Sequence, residues 1–258
     1  MDTFISDGLN LAYDDIPGGG AGTVVLVHGF ATNAEENWRR LGWYGAFERR
    51  GARVVALDLR GHGRSDKPHD VSAYGLEGMA ADIVALMDHL DIGRADLMGY
   101  SLGARLAART AVAHPDRVEN LILGGVGARL LEPRAIEPGK MTMAEAMRAP
   151  AADAVTDATL RGFRQFAENQ GEDRLALAAC SECLAASIAR VDFDAIRAPT
   201  LVVAGARDEL AGSPDVLAAV VPDAKAVTLP GCDHFSAIPH ALFKAAVFDF
   251  LDGWEEEV

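Results

Sequence analysis

Two kinds of apolar pattern alternate along the chain. Thr23 to Val27, Arg53 to Leu57, Ala95 to Tyr100 and Val118 to Leu123 are short continuous apolar runs, which suit strands buried on both faces of a parallel sheet. Gly75 to Leu90 instead places Met79, Ile83, Leu86, Met87 and Leu90 on one side of a helix. Further helices are predicted around Trp38 to Arg50, ended by Gly51, and from Leu102 to His114. Before them, Thr3 to Ser6 and Leu9 to Ile16 flank Asp7-Gly8, a two-residue hairpin turn. Strands alternating with helices predict an α/β fold with helices on both faces of a mostly parallel sheet and antiparallel pairing at one edge.

The rhythm breaks after Gly124-Gly125-Val126-Gly127. From about Arg129 to Arg197 the chain is Ala-rich and helical in pattern, interrupted by Pro133, Pro138 and Pro150. Strand pattern resumes at Ala198 to Gly205, followed by a helix at Pro214 to Val221 and a last strand at Lys225 to Leu229. A closing helix over Ala237 to Trp254 leads to Glu255-Glu256-Glu257. The organisation expected is a core of residues 1–128 and 198–258, with 129–197 inserted as a helical cap over the strands' C-terminal edge, where such folds bind ligands.

The chemistry centres on Gly99-Tyr100-Ser101-Leu102-Gly103, a G-x-S-x-G between a strand and a helix. A serine on so tight a turn is strained and exposed, and the helix behind it brings free N–H groups and positive dipole character to its hydroxyl. That hydroxyl is a poor nucleophile without a base, itself oriented by a carboxylate. Asp208 lies a few residues beyond the Thr200 to Gly205 strand, and His234 follows the last strand, so Ser101, Asp208 and His234 stand in the chain order of a G-x-S-x-G hydrolase. Glu209 adjoins Asp208 but would point elsewhere, and Asp233 is too close in sequence to orient the far nitrogen of His234. His62, His69, His89, His114 and His240 are read as solvated or capping residues, and His28 as conformational. The oxyanion hole needs two backbone N–H groups, here Leu102 and, from the loop after the His28-Gly29 strand end, Phe30.

Composition narrows the partners. At 258 residues with half of them hydrophobic, the chain has ample material for a core. A net charge of −14 disfavours nucleic acid and anionic membrane, and leaves a small-molecule substrate. No signal-peptide pattern opens the sequence, no apolar run spans a bilayer, and an odd three cysteines suggest no disulfide framework, so a reducing cytoplasm is expected. Cys180 and Cys183, with Cys232 and His234, could be imagined as a metal site, but the first two fall in an Ala-rich helical run where small buried cysteines are common. No metal and no organic cofactor is expected. No feature of the sequence assigns an oligomeric state.

The residues His28-Gly29-Phe30, Asp58-Leu59-Arg60-Gly61-His62-Gly63-Arg64-Ser65, the Ser101 motif, Gly205 with Asp208, and Gly231 with His234 together resemble the α/β-hydrolase superfamily over nearly the full chain. The resemblance implies an eight-stranded, mostly parallel sheet flanked by helices, with a cap inserted after the sixth strand. Dehalogenases and epoxide hydrolases of this fold carry Asp where Ser101 stands and are less similar. Arg105, four after the nucleophile, is reminiscent of menaquinone-pathway lyases that bind a multiply anionic substrate; we read it first as an exposed helix arginine. Met141, Met143, Met147, Phe163 and Phe166 of the insertion, with Phe235, are candidates for an apolar pocket. The expected activity is hydrolysis of a small or medium apolar carboxylic ester. Carbon–carbon bond hydrolysis, elimination, peracid formation and small-molecule sensing with incidental turnover stand as alternatives.

Overall fold

In the computed structural model, which describes residues 2–132, 139–186 and 191–253, alternation along each strand sets the two sides of one sheet. In β3 (Thr23–Val27), Val24 and Leu26 enter the core on one face, Val25 and Val27 on the other, and all four are buried. The same division runs through β4 (Arg53–Leu57), β5 (Ala95–Tyr100) and β6 (Val118–Gly124). One face is covered by Met79, Ile83 and Leu86 of α2 (Leu76–His89), by Leu106 and Ala107 of α3 (Leu102–Ala113) and by Leu217 of α7 (Pro214–Ala218). The other receives Trp43 and Phe47 of α1 (Trp43–Glu48) with Phe243 and Val247 of α8 (Ala241–Leu251).

The hairpin β1 (Asp2–Ser6) and β2 (Leu9–Ile16) is antiparallel and joins β4 antiparallel. The remaining pairs are parallel, through β7 (Thr200–Gly205) to β8 (Ala224–Leu229), giving eight strands in the order β1-β2-β4-β3-β5-β6-β7-β8. The chain leaves β3 toward β4 and then crosses back to β5 on the opposite side. Connections therefore diverge at the C-terminal ends of β3 and β5, where an open α/β sheet forms its crevice.

Two helices differ from expectation. The Trp38 to Arg50 stretch is a π-helical turn at Glu35–Arg39 followed by the short α1. Gly42 breaks it by taking φ +76°, a left-handed conformation that no continuous α-helix passes through. The break lets the fully buried Trp38 and Trp43 rings meet edge-on with centroids 6.0 Å apart. The closing helix begins at Ala241, where His240 Nδ1 accepts the Leu242 N–H. Trp254 and Glu255 to Glu257 lie outside the described residues, as do Pro133 and Pro138.

Between β6 and β7 the described residues hold helices α4 (Met143–Arg148), α5 (Ala158–Gln170) and α6 (Arg174–Ala186). Each start is capped: Thr142 and Glu145 form a capping box, Asp157 accepts from Leu160 N–H, and Asp173 accepts from Leu175 and Ala176 N–H. The three pack through Ala144, Met147, Phe163, Ala167, Leu177 and Ala178, and the same cluster takes in Ala31 from the loop after β3. The helical segment is thus seated on the loops at the crevice.

A buried ion pair joins α2 to the loop after β4. Asp82 of α2, fully buried, accepts Arg60 Nε and Nη2 at 2.7 Å each and the Ser6 hydroxyl at 2.6 Å, while Arg60 Nη1 donates to Ala73 O. Asp82→Ala leaves that guanidinium buried with only the exposed Asp7, 3.5 Å from Nη1, as a carboxylate partner, and is expected to lower stability by about 3–5 kcal/mol in chemical denaturation. The paired change Arg60→Met with Asp82→Leu is expected to cost less than Asp82→Ala alone, because no charge remains uncompensated.

Candidate active site

Ser101 follows β5 at φ 54° and ψ −109°, a backbone conformation unusual for any residue with a side chain. The flanking glycines are steric requirements. A Cβ on Gly103 would run into the carbonyls of Val27 and His28, and one on Gly99 into the carbonyl of Gly103. Ser101 N–H donates to Gly124 O at 2.8 Å, which fixes the elbow to the neighbouring strand.

Two loops from the far strands reach the serine. His234, after β8, holds Nε2 at 3.0 Å from Ser101 Oγ and Nδ1 at 2.8 Å from Asp208 Oδ2. Asp208, in the turn after β7, is itself held by Leu210 and Ala211 N–H groups, which donate to Oδ1 at 3.1 and 3.0 Å. Asp208 and His234 are both buried. Tyr100 braces the histidine loop by donating its hydroxyl to His234 O at 2.5 Å. Asp233 turns away to accept from Phe235 N–H and Ser236, and Glu209 is exposed.

Ser101, Leu102 and His234 open onto a cavity of about 250 Å³, with Phe30 on its wall. Leu102 is the first residue of α3 and its N–H has no preceding turn to bind. Of the candidate pocket residues, Met143 and Phe163 line this cavity. Phe166 and Phe235 line a smaller one that also borders Ser101 and His234, together with Phe30, Phe163 and Tyr100. Met147 is fully buried among the helices, and Met141 is exposed and lines neither. Leu130, Leu184, Ser181 and Leu210 complete the larger cavity's wall. Arg105 is half-buried and lines it too, so the exposed-arginine expectation gives way: one helical turn after Ser101 brings its side chain back to the same opening.

The early histidines also depart from expectation. His62 is fully buried rather than solvated, because its loop folds under Phe30 with ring centroids 5.7 Å apart. His28 does more than shape the chain: Nε2 accepts the Leu59 N–H at 3.0 Å and the Nδ1 side bonds Gly29 O at 2.8 Å. Burial pushes His28 down to about 4, and burial with the neighbouring His28 pushes His62 down to about 3, so both are neutral in the folded protein near neutrality. Asp58 ties the same loops, accepting Ala34 N–H and Arg64 N–H at 2.8 and 2.9 Å, and burial holds its carboxyl above the usual range. Cys180 is buried with its thiol pushed up to about 12, and Cys183 Sγ donates to Tyr74 O. Among the described residues no group of three or more His, Cys, Asp or Glu side chains is arranged to hold a metal ion, and no helix is long and apolar enough to cross a membrane.

A doubly flanked parallel sheet with a serine elbow at its crevice defines a hydrolase class of fold. Residues 22–161 match the alpha/beta hydrolase fold family, and the chain belongs to that family. It is 31% identical over 278 residues to 2-hydroxy-6-oxononadienedioate/2-hydroxy-6-oxononatrienedioate hydrolase 2 of Pseudomonas putida, covering 94% of this chain and 92% of that protein. It is also 31% identical over 167 residues to 3-oxoadipate enol-lactonase 2 of Acinetobacter baylyi, covering 60% of this chain and 61% of that protein, less than two thirds of its length. The crystal structure of the enol-lactonase from Burkholderia xenovorans LB400 superposes with a TM-score of 0.77 at 26% identity, over 97% of this chain and all of that one (100%).

The two buried histidines set an acid-side slope. Their folded values lie below the unfolded value of 6.5, so the unfolded chain binds more protons below about pH 6.5 and stability falls as pH drops toward 4 and 3. Denaturation of wild type and His62→Leu at pH 7 and pH 5 is expected to show the wild type losing on the order of 2 kcal/mol more than the variant over that interval.

Proposed function

We propose that the protein is a serine hydrolase cleaving a small or medium apolar carboxylic ester, with Ser101 as nucleophile, His234 as general base and acid, and Asp208 as the group that orients and stabilises the imidazolium. The observation that carries this reading is the continuous hydrogen-bonded series Asp208–His234–Ser101 opening onto a half-open, mainly apolar cavity. His234 Nε2 takes the Ser101 proton as Oγ attacks the ester carbonyl, and the carbonyl oxygen gains negative charge between the Phe30 and Leu102 N–H groups. Collapse expels the alcohol, which takes its proton from His234 and leaves an acyl-serine. His234 then removes a proton from water, the hydroxide attacks the acyl carbon, and the acid departs as Ser101 recovers its proton. These steps use the chain's own groups throughout.

Residues 129–197 act in this reading as a cap whose Met143, Phe163 and Leu184 bound the acyl site. The free cysteines suit a reducing cytoplasm. Hydrolysis of p-nitrophenyl esters from acetate to decanoate tests the proposal. Wild type is expected to turn over with a chain-length optimum, and Ser101→Ala to lose at least about 10³-fold in kcat. A wild type that releases a single equivalent and stops sinks the esterase reading.

A second reading is favoured by Arg105. A guanidinium on the wall of a cavity shared with Ser101 suits a substrate with a carboxylate distal to the scissile bond. The full-length P. putida relative is named for a dienedioate, a dicarboxylate, and carbon–carbon hydrolysis at the same serine is the corresponding chemistry. Arg105→Met is expected to lower kcat/KM for an ester with an ω-carboxylate by about 30-fold or more relative to its neutral counterpart, the scale of a lost partly buried charge pair. Equal effects on both esters would leave the neutral-ester reading standing alone.

A further inference from the structure

Three pieces of chain converge behind Phe30. The loop after β3 carries Phe30, Ala31 at φ +62°, and Asn33. The loop after β4 carries Asp58 and Gly63, and Asp58 already ties these two loops together through the N–H groups of Ala34 and Arg64. The third piece is the turn between α5 and α6, where Gly171 ends α5 at φ +70° and Glu172 follows. Glu172 is only 7% exposed, and it reaches down into the other two loops. Its Oε1 accepts from Asn33 Nδ2 and its Oε2 from Gly63 N–H, each at 2.8 Å. Because the two donors reach different oxygens, an ionised carboxylate satisfies both where it stands, whereas a carboxamide would set its own NH2 against one of them. Burying a carboxylate to make a surface turn is costly, and an exposed glutamate at a helix end would fold as well without the expense.

The position of this tie gives it a consequence at the site. Glu172 closes the end of α5, and α5 places Phe163 against Phe30 with ring centroids 6.3 Å apart. Phe163 and Phe166 also meet Phe235, at 5.6 and 5.4 Å, and Phe235 stands edge-on to His234 at 5.7 Å. One helix therefore touches both the loop of the oxyanion donor and the loop of the base, and Glu172 anchors it to the first of these.

We propose that Glu172 is a positioning residue of the reaction: its carboxylate locks the Phe30–Asn33 loop to the helices above it, so that the Phe30 N–H is aligned for the oxyanion only while those helices are seated. The proposal rests on the hydrolase reading, which gives Phe30 N–H that part. It carries a pH dependence. The charged groups facing the carboxylate are Lys67 and Asp58 from the loop after β4, while the loop after β3 presents only the neutral Asn33. On its own turn, Asp173 is engaged with His69. Burial is the largest influence on Glu172 and raises it above the usual carboxylate range, against the lowering by Asn33, Gly63 and Lys67. When it protonates on the acid side, one oxygen becomes a donor facing a donor and the lock loses a strand. Above that point the lock is intact.

The test is p-nitrophenyl acetate hydrolysis across pH by Glu172→Gln, Asn33→Ala and the double variant, with amide hydrogen exchange over residues 30–34. Glu172→Gln is expected to lower kcat by about 10-fold with KM changed by no more than about 2-fold, as for a loss of alignment rather than of binding. Its kcat profile is expected to lack one acid-side ionisation that the wild type shows, and its 30–34 amides to exchange faster at an unchanged thermal midpoint. Asn33→Ala is expected to act in the same direction, and the double variant to be no worse than the more impaired single one, because both cut one tie. Wild-type exchange in Glu172→Gln overturns the proposal, and so does a kcat loss that keeps the wild-type pH profile. Absence of ester turnover in wild type removes the hydrolase reading and the oxyanion role with it; the exchange comparison then judges the loop tie by itself.

Discussion

A serine at φ 54° and ψ −109° is held against its backbone preference, at a cost on the order of 1–3 kcal/mol, so the surroundings must over-determine it. They do so from three sides. β5 is flanked by β3 and β6, with Val27 opposite Gly99 and Tyr100 opposite Gly124, and the Ser101 N–H continues the ladder to Gly124 O. Behind it, α3 can approach only because Gly103 has no side chain to strike the Val27 and His28 carbonyls. The same closeness fixes the end of β3 relative to the serine: a Cβ on Gly29 would touch Tyr100 O and Ser101 Cβ. Strain at one residue and contact between two strand ends are thus the same fact. The loop carrying Phe30 is placed beside Ser101 by the packing that makes the elbow possible.

Desolvation then sorts the polar groups around that point. His28 and His62 are buried without a carboxylate bonded to either ring, and burial keeps them neutral; they bond loop backbones or pack against Phe30. His234 is also buried, but it has a carboxylate at 2.8 Å on one nitrogen and a hydroxyl at 3.0 Å on the other. Only that arrangement offers a place for a proton to go and a counter-charge to receive it. Asp58 shows the complementary case, a buried acid whose two oxygens are spent on backbone N–H groups and whose task is to join loops.

The strands were legible in the sequence because apolar runs of five or six residues between turn signals have few other uses. The relative placement of Ser101, Asp208 and His234 was legible because each follows a strand, and parallel strands bring their C-terminal ends to one edge. Features that depend on a loop's path were not. His62 sits among glycines and reads as solvated, until the loop is seen to fold inward beneath Phe30. Met143 and Met147 share a helix face by spacing, yet one lines the cavity and the other is enclosed by neighbouring helices. Glu172 follows a helix-ending glycine, the usual setting of a solvated acid, and nothing in its local sequence announces Asn33, 139 positions away in the chain.

α4 and α5 are joined to the body differently from α6, which packs into the core itself. The sheet is held by two large apolar clusters, one on each face; Ala179, Cys180 and Leu184 of α6 enter one of them, whereas α4 and α5 join Leu177 and Ala178 of α6 in a small cluster that reaches the body at Ala31 and Phe30. The helices' attachment also includes polar ties: Glu172 to Asn33 and Gly63, Asp173 to His69, and Cys183 to Tyr74 O. Apolar burial supplies most of a domain's stability, so separating α4 and α5 from the loops costs less than opening the sheet. The cavity of about 250 Å³ lies at the border of these two kinds of contact, and the strained serine beneath it stays where the sheet holds it. Rigidity and access are assigned to different kinds of contact, and the residues at their border decide how far one disturbs the other.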